Sequence, residues 1–402
     1  MSEPLVVIGN GMAAARFVEE LDATARGRFA VAVIGAEPHL AYNRVLLSSV
    51  LAGEVEPDEI ELRNADWWRA RGVTLLYGKS ANAIDLDRRK VRLEDGAEIG
   101  FSRLVLATGS TPIRLPIPGA TLAGVSTFRD LGDVEKIAAS GNAECRVVVI
   151  GGGLLGLEAA YGLAKRGAKV TLLHLMPHLM ERQLDAAAAA LLKRSLEAMS
   201  IEVVCEADTA AIEGEHVTGV RLKGGRVFDA DAVVMALGVR PNVELARAAG
   251  VAVNRGIVVD DGLETSAAGI FAIGECAEHR GVCYGLVEPA YEQARVLAKN
   301  LAGKPARYEG STLATNLKVS GVSVFSAGEF AVAGEAENIV LSDPSAGLYK
   351  RLVLQNNRLI GAVLIGDTAD GLWYLDLIRS GRSVAAFRND LAFGRAYVAE
   401  AA

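Results

Sequence analysis

Two glycine-rich turns, Gly9-Asn10-Gly11-Met12-Ala13-Ala14 and Gly151-Gly152-Gly153-Leu154-Leu155-Gly156, lie in one chain of 402 residues, each directly after a run of branched apolar residues ending in Ile-Gly. In each, a buried strand (Leu5 to Ile8; Val147 to Ile150) must reverse into a helix while its backbone comes close enough to a pyrophosphate to donate N–H groups. Glycine permits the approach because it carries no Cβ, and the helix that follows points the positive end of its dipole at the phosphates. One such turn alone is weak evidence, since glycine turns also join strands to helices for topological reasons. Two of them, each followed by the next elements of a nucleotide half-site, point to two bound nucleotides, and two nucleotides suggest electron transfer between them.

After the first turn the pattern predicts a helix from Met12 to about Ala23, a second apolar strand from Phe29 to Ile34, and then Glu37, placed to accept hydrogen bonds from a ribose 2'-hydroxyl. After the second turn a helix runs through Glu158 to about Lys165 and a strand from Ala168 to Leu173, but the position of the acid is taken by His174. No carboxylate there excludes a 2'-phosphate, so NADH and NADPH both stay open.

Composition fits a chain with more than one core: 51% apolar, 5% aromatic, and long enough for two or three domains. A net charge of -7 supplies neither a basic stripe for nucleic acid nor a polybasic segment for an anionic membrane. The apolar N-terminus lacks a cationic leader and is broken by Gly9 and Gly11, so it reads as a first strand and not a signal peptide. No apolar run approaches the roughly 20 residues of a membrane helix, and the expected location is the cytoplasm. Cys145, Cys205, Cys276 and Cys283 show no Cys-x-x-Cys or Cys-x4-Cys spacing, so no dithiol centre, zinc site or iron-sulfur set is visible. With five scattered histidines, no protein-bound metal is expected.

Residues 1 to about 112 hold the first half-site, a Trp67-Trp68 helix, and a meander of Leu75 to Tyr77, Ala83 to Leu86 and Lys90 to Leu93 around Asp95-Gly96. They close with Leu104-Val105-Leu106-Ala107-Thr108-Gly109-Ser110, and Pro112, Pro116 and Pro118 form a stiff connector that marks a domain crossing. From about 113 to 240 the order strand, glycine turn, helix, strand repeats, continues with a helix near Asp185 to Met199, and finishes at Val233-Val234-Met235-Ala236-Leu237-Gly238. Two similar endings of two similar units argue for internal duplication. The chain then returns to the first unit through Ile257 to Asp260 and Ile270 to Glu275, which makes the second unit an insertion in the first. Beyond residue 309, strands (Val322 to Ala327, Ile339 to Leu341, Lys350 to Gln355, Leu359 to Ile365) precede a helix near Leu372 to Arg379, with a hairpin at Asn356-Asn357.

The ordered set Gly9-x-Gly11, Glu37-Pro38-His39-x-x-Tyr42-Asn43-Arg44, Ala107-Thr108-Gly109-Ser110, Gly151-x-Gly153-x-x-Gly156, Gly238-x-Arg240-Pro241-Asn242 and Ile273-Gly274-Glu275 resembles the pyridine-nucleotide:disulfide oxidoreductase superfamily, in its branch without a redox disulfide. Within that branch, Tyr42-Asn43-Arg44, His174-Leu175-Met176-Pro177, Leu179-Met180-Glu181-Arg182-Gln183-Leu184-Asp185 and Gly274-Glu275-Cys276-Ala277-Glu278-His279-Arg280-Gly281 are similar to the flavin-containing front part of assimilatory nitrite reductase large subunits and to the flavoprotein subunit that feeds assimilatory nitrate reductase. The cysteine-rich iron-sulfur and sirohaem modules that follow in nitrite reductases are not among these 402 residues. The expectation is therefore an electron-input flavoprotein that does not itself reduce nitrite.

The resemblance implies an α/β architecture of two Rossmann-like dinucleotide-binding domains, one inserted in the other, plus a C-terminal α+β interface domain. The FAD-binding domain takes residues 1–112 and 241–308, the NAD(P)H-binding domain 113–240, and the interface domain 309–402. The cofactors are FAD and NADH or NADPH; the partner is a protein electron acceptor, a nitrate or nitrite reductase component, with rubredoxin or ferredoxin as the alternative. The interface domain offers a docking surface or a homodimer contact. Hydride transfer to a flavin needs stacking and alignment and no strong acid or base, so no catalytic side chain is expected.

By the same resemblance Gly9, Gly11, Met12, Ala13 and Ala14 hold the FAD pyrophosphate, Glu37 its ribose, and Arg44 adds a cation near the phosphates. Ala107, Thr108, Gly109 and Gly274 pass beside the cofactor, and Glu275 replaces the more usual Asp at the ribityl chain. Pro289 opens a helix ending near Gly303 that points at the flavin N1/C2=O edge, and Lys318 is a second cation for that edge or a solvated strand lysine. Gly151, Gly153, Leu155 and Gly156 cradle the second pyrophosphate and Gly238 closes that unit. Glu158 reaches the nicotinamide side or complements the helix dipole. His174 stacks on or hydrogen-bonds the adenosine ribose, or is a plain loop histidine; Arg182 is a candidate for a 2'-phosphate. Glu37 also reads as an exposed turn acid, and Arg44 as a surface cation paired with Glu54 or Glu56. Related ferredoxin reductases often carry a lysine after Leu-Ser in the early loop, where here Ser49 follows Leu47-Ser48. A peroxidase or disulfide reductase would need a cysteine between Pro38 and Glu61, and there is none. A non-enzymatic flavin-binding sensor or scaffold is the remaining reading.

Overall fold

The structure, a computed structural model, describes residues 2–319, 322–330 and 336–398, which divide into two units. The first comprises Met1–Leu47, Val55–Pro112 and Val239–Ser311. Its centre is a five-stranded parallel sheet in the order Ile270–Ala272, Arg103–Leu106, Glu3–Ile8, Phe29–Gly35, Thr74–Tyr77. The middle strands read as continuous apolar runs because a parallel sheet is covered on both faces; Leu5, Val6, Val7, Leu104, Val105 and Leu106 are fully buried. The helices Met12–Ala25 and Val287–Leu301 pack along one another.

The expected meander is redistributed. Thr74–Tyr77 joins the parallel sheet, in register with Ala32 to Gly35, and the antiparallel meander is made instead by Ala81–Asp85, Lys90–Leu93 and Glu98–Gly100. A strand of four residues fits either partner by pattern, and the free edge of the apolar strand Phe29–Gly35 decides.

The second unit comprises Ser48–Glu54, Ile113–Gly238 and Thr312–Ala402. Its parallel sheet runs Glu202–Val204, Lys169–Leu173, Arg146–Ile150, Ala232–Met235, Val125–Thr127, with an antiparallel sheet of Thr209–Glu213, Gly219–Leu222 and Val227–Asp229 beside it. The C-terminal part adds a five-stranded antiparallel sheet in the order Ala314–Val319, Val322–Gly328, Arg358–Ile365, Leu348–Gln355, Glu337–Asp343. The helix Gly371–Ser380 closes its own apolar core around Phe325, Leu352, Leu364 and Tyr374. Asn356 and Asn357 both take positive φ, 52° and 56°, as the tight hairpin requires. No helix of the described residues is long and apolar enough to cross a membrane.

One carboxylate ties the C-terminal sheet to the parallel-sheet half of this unit. Asp185 caps the helix Ala186–Ala198 through the Ala188 N–H (3.0 Å) and also accepts from Tyr349 Oη (2.9 Å) and Arg351 Nη1 (3.0 Å). Burial alone would raise its pKa; the Ala188 N–H, Arg351 and Tyr349 together outweigh burial and hold it below the usual carboxylate value. A depressed folded pKa contributes stability above the unfolded value that is lost as pH falls through the folded one. Asp185→Ala should therefore cost about 1–2 kcal/mol at neutral pH, and urea titrations repeated at falling pH should show the difference between wild type and variant shrinking below about pH 4.

Candidate functional site

Both glycine turns are built on the same contact. Gly9 has φ of +114°, and a Cβ there would lie 2.0 Å from the Ala107 carbonyl oxygen; Gly151 has φ of +120°, and its Cβ would lie 2.3 Å from the Ala236 carbonyl oxygen. The flanking backbone bonds repeat: Gly9 N to Ile34 O (2.8 Å) and Ala107 N to Ile8 O (2.8 Å) in one, Gly151 N to Leu173 O (2.8 Å) and Ala236 N to Ile150 O (2.9 Å) in the other. Each helix then starts at a glycine, Gly11 or Gly153, with no side-chain cap. A Cβ on either would meet nothing within 4 Å. Helix N–H groups facing open space without a capping side chain fit an anionic ligand. Gly156 packs the second helix against its own turn, its missing Cβ falling 1.8 Å from Gly151 O.

Around the first turn, Ala14 is buried, Met12 is half-buried, and Ala13 sits 3.0 Å from where a Cβ of Gly274 would be. The Asn10 side chain donates to His39 O (3.2 Å), while its Oδ1 is buried beside the turn without a partner among the described residues. Glu37 is engaged on both oxygens: Tyr42 Oη donates to Oε2 (2.6 Å) and Arg44 pairs with Oε1. Arg44, also 4.9 Å over the Tyr42 ring, pairs with Glu37.

The loop that carries Ala107, Thr108 and Gly109 is clasped by Asn242. Its Nδ2 donates to Thr108 O (2.8 Å), its N–H to Gly109 O (2.9 Å), and Thr108 Oγ1 returns a bond to Asn242 O (2.9 Å). Gly109 and Gly238 both take positive φ with no neighbour within 4 Å of a Cβ. Ser110 Oγ donates to Glu275 Oε2 (2.7 Å), which fixes the direction of that carboxylate. Pro289 is the third residue of Val287–Leu301 and is buried; four residues on, Gln293 Oε1 accepts the Gly274 N–H (2.7 Å). Asn10, Ser110 and Asn242 are site residues the pattern did not assign. All three lie inside quoted motifs, and a short polar residue beside a small-residue turn was the available signal.

Around the second turn, Leu155 is half-buried and Glu158 is buried. Glu158 has no hydrogen-bond or ion-pair partner among the described residues, and burial pushes its carboxyl up to about 8. The segment Ser48–Glu54 packs against the same helix: Leu51 lies where a Gly162 Cβ would reach within 2.9 Å, Tyr161 Oη donates to Glu54 (3.1 Å), and Arg166 donates to Leu51 O (3.4 Å). That segment carries Ser48 and Ser49 and no cation. His174 is buried with both ring nitrogens engaged inside the chain, by the Gly152 N–H and by Glu181. Lys318 falls in the strand Ala314–Val319, and its side chain lies outside the described ones. A cavity of about 1060 Å³ opens among Arg28, Phe29, Arg103 and Gly269, where the strands of the first sheet begin. It lies at the opposite end from the glycine turns, and ligands of open α/β sheets bind at the carboxyl ends of the strands.

Two open glycine cradles, each at the carboxyl end of a parallel sheet, define a dinucleotide-dependent oxidoreductase fold. Residues 3–296 match the pyridine nucleotide-disulphide oxidoreductase family and residues 314–382 the rubredoxin NAD+ reductase C-terminal domain, so the chain belongs to the pyridine nucleotide-disulphide oxidoreductase family. Its class is that of NAD(P)H-dependent flavoprotein oxidoreductases, with FAD and NAD(P)H as cofactors. The chain is 45% identical over 383 residues to the nitrite reductase [NAD(P)H] of Bacillus subtilis (strain 168), covering 95% of this chain and 48% of that one. It is 41% identical over 389 residues to the assimilatory nitrate reductase electron transfer subunit of the same organism, covering 96% of this chain and 50% of that one. The chain thus spans about half the length of these curated relatives. Among solved structures, the putidaredoxin reductase–putidaredoxin complex is similar at a TM-score of 0.89 and 28% identity, covering 97% of this chain and 95% of that one.

A carboxyl raised by burial binds its proton more tightly folded than unfolded, so its contribution to stability falls as pH rises from the unfolded pKa toward about 8. Glu158→Gln should remove that slope. Thermal or urea unfolding of the apoprotein between about pH 5 and 8 should show the wild type losing ~3 kcal/mol relative to the variant.

Proposed function

We propose that the first cradle binds FAD and the second NAD(P)H, and that the protein is an FAD-dependent NAD(P)H oxidoreductase passing electrons to a partner protein, the catalytic component of assimilatory nitrate or nitrite reduction. The observation that carries this is the repeated glycine crossing under a carbonyl, which opens two uncapped helix N-termini in one chain. The names of the two Bacillus relatives support the acceptor. Bound FAD would supply two-electron acceptance from a nicotinamide and one-electron release to a partner, the chemistry a one-electron acceptor requires.

This chain's residues bind and orient. Gly9, Gly11, Met12, Ala13 and Ala14 present backbone N–H groups to one pyrophosphate, and Gly151, Gly153, Leu155 and Gly156 to the other. Glu37, steadied by Tyr42 and Arg44, accepts from the FAD ribose. Glu275, steered by Ser110, accepts from the ribityl chain, and Ala107, Thr108, Gly109 and Gly274 line the approach. Pro289 lies in the first turn of a helix without a side-chain cap, whose dipole stabilises negative charge by about 0.3–1 kcal/mol, up to ~2 when partly buried. Glu158 meets the nicotinamide side. Residues 1–112 and 241–308 form the FAD-binding domain, 113–240 the NAD(P)H-binding domain and 309–402 an interface domain that serves docking or a homodimer. A cytoplasmic location fits this role, and with a net charge of -7 neither nucleic acid nor a membrane enters it. A rubredoxin or ferredoxin reductase is the second reading, favoured by the C-terminal family match and the likeness to putidaredoxin reductase.

Anaerobic NADH or NADPH should bleach the visible flavin absorption of the purified protein, and the bleached protein should reduce a nitrate reductase catalytic subunit faster than rubredoxin, ferredoxin or ferricyanide. Absence of bleaching by either nucleotide defeats the enzyme reading, and faster reduction of rubredoxin or ferredoxin selects the second one. Glu37→Leu should be recovered largely without FAD, read as the ratio of visible to ultraviolet absorbance.

A further inference from the structure

The second half-site lacks the acidic side chain that ordinarily ends its second strand and reads the adenosine ribose. His174 stands there instead, and its ring is committed. The Gly152 N–H donates to Nδ1 at 3.0 Å, so the ring proton sits on Nε2, 3.1 Å from Glu181 Oε2. The loop after His174 folds back on the same glycine: the Met180 N–H donates to Gly152 O at 3.0 Å, and Leu179 and Met180 are buried. A Cβ on Gly152 would fall 2.6 Å from Leu179 Cδ2 and 2.7 Å from His174 Cγ. Gly152 therefore holds the histidine with its N–H and the loop with its carbonyl, and together they set the next residue, Glu181, beside the cradle.

Glu181 has what the missing acid would have supplied. Its side chain is 29% exposed, and one oxygen is held by the imidazole. The other oxygen has no partner among the described residues. Leu175 and Met176, directly after His174, are 59% and 41% exposed and give an apolar surface at the same strand end, suited to the face of an adenine. A carboxylate there accepts from the ribose hydroxyls and repels a 2'-phosphate; the adjacent Arg182, exposed and carrying the opposite sign, is the competing determinant.

We propose that Glu181 is the residue that reads the ribose 2'-position, that His174 is its positioning residue, and that the second cradle takes NADH in preference to NADPH. This rests on the assignment of NAD(P)H to that cradle. The test is calorimetric titration of the oxidised, FAD-loaded protein with NAD+ and NADP+, independent of turnover. Wild type should bind NAD+ at least about tenfold more tightly than NADP+. Glu181→Gln should weaken NAD+ several-fold and strengthen NADP+ about tenfold, with Arg182→Ala leaving the NAD+ constant unchanged. His174→Gln, which leaves the carboxylate in place but frees it, should lose NAD+ affinity without gaining NADP+. Wild type favouring NADP+, or a Glu181→Gln protein with both constants unchanged, overturns the proposal while leaving the cradle assignment intact. Failure of wild type to bind either dinucleotide, or undiminished binding by a Gly153→Val protein, overturns the cradle assignment and this proposal with it.

Discussion

Everything in the two half-sites follows from one steric exclusion repeated twice. A strand that must turn into a helix directly under the carbonyl of its neighbour leaves about 2 Å for a side chain that would begin there. With hydrogen in that place the turn closes, the helix N-terminus comes forward, and its first N–H groups are left without capping side chains. An enlarged side chain at Gly9 or Gly151 would push apart the paired strands that carry the cradle as well as block the ligand. Stability of the sheet and binding of an anion are thus served by the same missing atom, which explains how one device supports both nucleotide units.

The supporting shell differs between the two copies. The first copy keeps an acid at its second strand, braced by a phenol and a guanidinium, and a loop stapled by Asn242. The second copy spends its strand-end residue on bracing and moves the acid into the following loop. Its helix also carries a carboxyl whose pKa burial raises to about 8, and the packed segment Ser48–Glu54 brings serines and no cation to it. The two turns share their backbone geometry and differ in the side chains around it.

What could be read from the residues alone was what depends on local chemistry. The glycines announce themselves because their backbone angles are special, the helices Ala186–Ala198 and Val287–Leu301 because Asp185 and Pro289 mark their starts, and the hairpin because asparagines tolerate positive φ. What stayed hidden depends on chain that folds back from afar. His174 is an ordinary histidine until the loop 175–184 returns to Gly152, and Arg44 has three glutamates within reach of pattern-reading until the turn after Glu37 brings Tyr42 beneath it. The clasp of Asn242 on Thr108 spans 134 residues, and Thr74–Tyr77 needed the edge of another sheet to declare its partner. Periodicity carries no information about such meetings.

The antiparallel pair of Ser110–Pro112 with Val239–Pro241, continued by the Ile113 N–H on Gly238 O, bears on how such a chain came to be assembled. At the longer of the two breaks in the first unit, the outgoing and incoming strands lie side by side like the legs of a hairpin. Whatever is spliced between those legs, a few residues or more than a hundred, asks almost nothing of the host beyond closing its ends, and the entropy of closure grows only with the logarithm of length. A second copy of the gene segment could be threaded in there without rewriting the first.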